Sequence, residues 1–194
     1  MELATSQKLL ARIYTDSVLR NRFFADPITI GASFGLNQDA ALQLAKLPKE
    51  EVHNFTKSLR RQRLAWVSRE LPLSRKLLGS RFGELFKDYV VKSQLPEKSL
   101  PWVDAMRFCK NAINRKKSAV EVAKWELEFM RYECARLDFN NSPDRVRRFF
   151  SYYRVNGLEA AITAGQIPTS VRTLPCFTVF WRWTKHHPIA TVAL

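Results

Sequence analysis

The stretch Thr173–Leu194, TLPCFTVFWRWTKHHPIATVAL, alternates in the manner of a β-strand. Successive strand side chains point to opposite faces. Phe177, Val179, Trp181 and Trp183 therefore share one face, and Cys176, Thr178, Phe180 and Arg182 share the other. TKHHP has the composition of a turn, and IATVAL reads as a returning strand that starts after Pro188. The face richer in aromatics, Phe177 to Trp183, is expected to bury the sheet against helices. A free strand edge beside it would accept an extended peptide.

Upstream of this segment the periodicity is helical. Leu9, Leu10, Ile13 and Tyr14, then Val18, Leu19, Phe23 and Phe24, predict a helix over residues 6–24, with Asp16 as a cap or an interruption and Asp26-Pro27 as the stop. GASFGLNQDA reads as a loop, and Asn37 is the expected cap of a short helix over Asp39–Leu47. Pro48, Glu50 and Glu51 open a long helix. LPLSRKLLGSRFGELFKDYVV predicts a short helix, a break at Gly79 and a second helix. KSQLPEKSLPW is a turn-rich connection leading to a helix near Val103–Ile113. Ser118 and Glu121 have capping-box spacing ahead of a helix carrying Val122, Trp125, Phe129 and Tyr132. Asp144–Ala164 is open to helix, although Phe149, Phe150, Tyr152 and Tyr153 leave a strand in play. The expected fold is mainly α, with a helical N-terminal body and a small C-terminal α/β or β-hairpin-containing region. The expected division is residues 1–95 as the helical domain and 96–194 as a helical connection plus the small C-terminal domain.

The chain has 194 residues, 46% of them apolar and 12% aromatic, which is enough for a substantial core. No apolar run reaches the length of a membrane-spanning helix, and the N-terminus is charged throughout, so a cytoplasmic protein is expected. Formal net charge is +14, distributed unevenly. Residues 1–56 balance six basic against six acidic side chains, whereas residues 57–117 carry sixteen against five. Such an excess suggests an acidic partner, an anionic membrane or nucleic acid. The candidate partner- or anion-binding cations are Arg60, Arg61 and Arg63, then Arg115, Lys116 and Lys117, then Arg172, Arg182 and Lys185. Phe177, Trp181 and Trp183 are the candidate aromatic contacts.

Signals for chemistry are sparse. Cys109, Cys134 and Cys176 are far apart in sequence and form no CxxC pair, so they are expected as reduced, mostly buried thiols. His186 and His187 are adjacent, and in a strand they would point to opposite faces. No HExxH accompanies them, so no metal site and no cofactor are expected. Ser80 lies in GSRFG, which is not a nucleophile elbow. Cys176 near the two histidines is the one nucleophile–base pairing that sequence proximity offers. Glu121, Glu126, Glu128 and Glu133 read as helix-surface charge.

LLARIYTDSVLRNRFFADP with FGLN, followed by FTKSLRRQRLAWVSRELPLSRKLLGSRFGELFKDYV, resembles a helical domain of the bacterial DNA-binding-domain and peptide-modification partner-protein superfamily. The resemblance covers roughly residues 7–92, and its most relevant members are small partner subunits of multinuclear non-haem iron oxidases. It implies a helical N-terminal domain and a smaller C-terminal domain that helps present a peptide to the oxidase. It carries over no catalytic residue. The resulting expectation is a non-catalytic adaptor or accessory subunit that takes a protein or peptide partner with an acidic surface. A basic nucleic-acid-binding or regulatory protein is the alternative, and a freestanding enzyme is the third class.

Overall fold

A computed structural model describes residues 2–92, 100–115, 120–155, 157–184 and 189–193. Among these the fold is predominantly helical, with a small C-terminal three-stranded open sheet. The chain forms two compact units, Met1–Arg63 with Val90–Glu97, and Leu64–Tyr89 with Lys98–Leu194.

The first unit contains α1 (Glu2–Thr15), α2 (Ser17–Ala25), α3 (Pro27–Ser33), α4 (Gln38–Ala45) and most of α5 (Lys49–Glu70). The helix expected over 6–24 is broken at Asp16. Its carboxylate accepts from the backbone amides of Val18 and Leu19, so it caps a new helix. Asp26-Pro27 stops α2 as expected, but it also starts α3 in a segment expected to be loop. Asp26 accepts from the Thr29 amide, and Pro27 occupies the first turn, where its missing N–H costs nothing. A Cβ on Gly31 would lie 2.6 Å from the Ala41 Cβ, so glycine there is what lets α3 and α4 approach. Asn37 caps α4 by accepting from the Ala40 amide at 2.8 Å, as its position predicts. Leu9, Ile13, Phe23, Ile30, Leu36 and Val52 form the core of this unit.

The second unit begins in α5 and continues with α6 (Pro72–Leu78) and α7 (Ser80–Lys92), the latter ending in the first unit. Gly79 separates these two helices at φ +57°, a conformation that favours glycine. Then come α8 (Pro101–Asn114), α9 (Lys124–Asn141), β1 (Val146–Tyr153), α10 (Leu158–Thr163), β2 (Thr173–Trp181) and β3 (Ala190–Ala193). The segment Asp144–Ala164, left open to helix, is a strand followed by a short helix. The sheet is antiparallel in the order β1-β2-β3, with Phe150 opposite Phe177 and Val179 opposite Val192.

Helix α9 is the organiser of this unit. Trp125, Phe129, Tyr132 and Phe139 from α9 pack with Leu77, Phe149, Val155, Ile162 and Phe180. Phe139 stacks on Phe180 at 6.0 Å between centroids, and Tyr132 lies 5.6 Å from Phe180 and 5.7 Å from Phe149. Full burial of one such side chain contributes about 1.5–3 kcal/mol.

Two acids expected on the surface of α9 are buried in it. Glu133 accepts from the amides of Leu73 and Ser74 at 2.8 and 2.7 Å, satisfying orphan donors at the start of α6. Glu126 takes a two-pronged contact from Arg81 at 2.9 and 2.6 Å and also accepts from the Ala123 amide. This second bond supplies half of a capping box at Ala123, so α9 starts later than the Ser118–Glu121 spacing predicts. Ser118 itself lies outside the described residues.

Burial outweighs the hydrogen bonds at Glu133 and holds its carboxyl above the usual carboxylate range. The folded protein thus keeps a proton there to higher pH than the unfolded chain does. This contribution is complete below the ordinary glutamate pKa and is lost as pH rises through the raised value. Glu133→Gln lacks it. The stability of the parent relative to Glu133→Gln should therefore fall as pH rises above the ordinary glutamate range, read as urea-unfolding free energies. Glu133→Ala leaves two donors without their acceptor and should cost about 2–3 kcal/mol at neutral pH.

Candidate interaction surface

Strand alternation gives the sheet two faces of unusual composition. The inward face of β1 and β2 carries Phe149, Ser151, Cys176, Thr178 and Phe180, all buried, and the buried Arg182 follows directly. The outward face carries Val146, Arg148, Phe150 and Tyr152 on β1, and Phe177, Val179 and Trp181 on β2, with Trp183 just beyond. Tyr152 is 58% exposed, Phe177 52% and Trp183 72%. The pairing of side chains into faces is the one the sequence predicts, but the assignment of inside and outside is reversed. Phe177, Val179, Trp181 and Trp183 do not pack the sheet onto the helices.

The reversal has two physical causes, both at the C-terminal end of β2. Phe180 fits between Phe139, Tyr132 and Phe149, and only its own face of the strand can reach them. Arg182, a candidate partner contact, turns inward and is 4% exposed. Its guanidinium donates to the backbone carbonyls of Asp144 at 3.0 Å, Asn140 at 3.3 Å and Ser142. The same group lies over the Phe139 ring at 4.7 Å. Its role is to clamp the turn between α9 and β1, not to meet a partner.

The outward aromatics touch one another. Phe150 and Phe177 form a cross-strand pair with centroids 5.0 Å apart, Tyr152 lies 5.0 Å from Phe150, and Trp181 meets Trp183 edge-on at 5.7 Å. Arg148 sits exposed among them, opposite Val179. No residue of β1, β2 or β3 is acidic. The edge of β1 is less available than the face, because the Phe150 carbonyl accepts from the Arg131 guanidinium.

The other candidate cations are dispersed. Arg60, half-buried, and Arg61, exposed, lie on α5 in the first unit, where Arg63 is buried at 6% exposure and so is withdrawn from any surface patch. In the second unit Arg115 is half-buried and donates to the Val120 carbonyl at 2.7 Å, while Arg172 is exposed. Lys116, Lys117 and Lys185 lie outside the described residues, as do His186 and His187. Cys176 is buried, with its thiol 3.5 Å from the Tyr153 carbonyl, a packing position unsuited to a nucleophile. Among the described residues no three side chains drawn from His, Cys, Asp and Glu converge as a metal site. No described helix is long and apolar enough to cross a membrane.

No protein-family model matches the chain, and no curated protein matches it in sequence.

The clamp is directly testable. Arg182→Ala removes three donor contacts and orphans carbonyls of the α9–β1 turn, so it should cost about 2–4 kcal/mol in chemical unfolding. Arg172→Ala, at an exposed position, should change stability by less than about 0.5 kcal/mol.

Proposed function

We propose that the chain is a non-catalytic interaction protein, an adaptor or accessory subunit, that docks its partner on the outward face of the C-terminal sheet. One observation carries this reading. The solvent face of the sheet is more apolar than its core face, which holds Ser151, Thr178 and Arg182. A contiguous exposed aromatic patch of this kind marks an interaction site, because leaving it in water costs about 25 cal/mol for each Å² of apolar area that a partner would cover. Tyrosine, tryptophan and arginine are also the residues in which binding energy concentrates at interfaces. Arg148 and the absence of acids on the strands favour a partner with acidic character, consistent with the net charge of +14. A protein or peptide substrate presented to a modifying enzyme fits this surface, in keeping with the resemblance of the N-terminal half.

The same face supports a second reading, single-stranded nucleic acid. Exposed rings on a sheet offer stacking platforms for bases, and Arg148 offers a phosphate or stacking contact.

The deciding experiment is purification from the native host at low salt, comparing the parent chain with Phe150→Ala/Phe177→Ala and with Arg148→Ala. The exposed aromatic pair contributes only about 0.2–1 kcal/mol to folding, so the double variant should remain folded by circular dichroism. A stoichiometric protein retained by the parent and lost by the double variant is the expected result, with a drop in affinity of about thirtyfold or more. Recovery of nuclease-sensitive material, released by moderate salt and weakened by Arg148→Ala, would select nucleic acid instead. A partner retained equally by all three proteins would place the interaction elsewhere and refute the proposal.

A further inference from the structure

A cleft of about 480 Å³ opens between α8 and α9. Its walls are almost entirely apolar, with Trp102 and Ile113 among them, and three of its lining side chains contain sulfur. Met106 and Cys109 stand one turn apart on α8, and Cys134 faces them from α9. The Cys134 thiol lies 3.1 Å from the Met106 thioether sulfur, and the Cys109 thiol lines the same cleft. Cys109 also lies 3.8 Å from the Met130 carbonyl. All three cysteines of the described chain are free, and Cys176 takes no part in this cluster.

Two thiols and a thioether converging in an apolar cleft is a donor set of one kind only. Soft sulfur ligands select soft cations, and a three-sulfur set with no nitrogen or oxygen donor suits Cu(I) better than a divalent ion. Zn(II) requires four ligands, drawn from thiolate, imidazole and carboxylate, and a thioether is a poor substitute. From this geometry we infer that Met106, Cys109 and Cys134 form a binding site for Cu(I).

Loading the site is a ligand substitution without electron transfer. Cu(I) forms bonds to the two cysteine sulfurs and to the methionine sulfur, and the two thiol protons leave to solvent. The product carries one net negative charge. Arg107, Lys110 and Arg131 are among the residues that line the cleft. Cysteine ligates metal as the thiolate, so binding releases protons. Metal–sulfur bonds of about 2.3 Å place neighbouring sulfurs about 3.7–4.0 Å apart. The Met106 side chain is unbranched, and a rotation that moves its sulfur by about 1 Å supplies this spacing.

The test uses the full chain, reduced and anaerobic, titrated with Cu(I) against the chromogenic chelator bicinchoninate. The expected result is one Cu(I) per chain, a near-ultraviolet thiolate-to-metal charge-transfer band, and X-ray absorption showing sulfur neighbours only. Cys109→Ser and Cys134→Ser should each abolish retention, and Met106→Leu, which conserves volume, should weaken it about tenfold. Cys176→Ser should leave it unchanged, and Zn(II) should not compete. Circular dichroism reports whether each variant is folded, and Met106→Leu keeps the test valid should a serine variant fail to fold. No retention by the folded parent, nitrogen neighbours in the absorption spectrum, equal binding of Zn(II), or unaltered affinity in folded Met106→Leu would each overturn the assignment.

Discussion

The second unit depends on carboxylates carried into its interior by α9. Glu133 is buried because it accepts the two amides that begin α6, and Glu126 because it grips Arg81 on α7 and ties back to its own helix start. An ionisable group below the surface is costly unless its bonding is complete. That cost is also what makes these contacts specific, since sliding α6 along α9 by one residue would strand a carboxylate and two backbone donors together. With α6 and α7 fixed in this way, the aromatic side of α9 presents Tyr132 and Phe139 to the sheet at one position only. Phe180 and Arg182 then have a single place to go, and the outward orientation of the remaining β2 side chains follows.

How much of this was legible in the sequence depends on the range of the interaction concerned. Asn37 capping α4, Asp26-Pro27 ending α2 and the break at Gly79 are local events, and their residue types announce them. The alternation of β2 into two sets is equally local and equally readable. Which set faces the core is not, because it is decided by α9 rather than by the strand. Ranking the faces by apolar content puts Trp181 and Trp183 inside, whereas stacking on Phe139 and a clamp on three carbonyls put Phe180 and Arg182 there. Glu126 and Glu133 read as surface charge for the same reason, as Arg81 and the amides of Leu73 and Ser74 are distant from them in sequence. Helix α3 was missed because a Pro-Ile-Thr-Ile-Gly segment has weak intrinsic helicity, and its cap is the same aspartate that ends the preceding helix.

The candidate site was partly legible in the same sense. Alternation alone places Phe177, Trp181 and Trp183 on one face, and they do share it. Phe150 and Tyr152 are neighbouring aromatics in the sequence, and only the register that sets Phe150 opposite Phe177 makes them part of this surface. Arg148 carried no signal beyond its charge. Among the cations, density along the chain was a poor guide, since Arg63 and Arg182 serve the interior. The sulfur cluster shows the same limit, because the wide spacing of the cysteines conceals a meeting that helix packing creates.

The Arg182 clamp has a consequence for the thermodynamics of any complex formed on the sheet. By bonding the carbonyls of residues 140, 142 and 144, it joins α9 to β1 without slack, so the aromatic face is already in shape before a partner arrives. Association then spends little chain entropy on ordering this side of the interface. The heat-capacity change on binding should track the apolar area covered, without the larger negative excess that accompanies coupled folding. Selectivity on such a surface comes from fit to a fixed shape rather than from mutual adjustment.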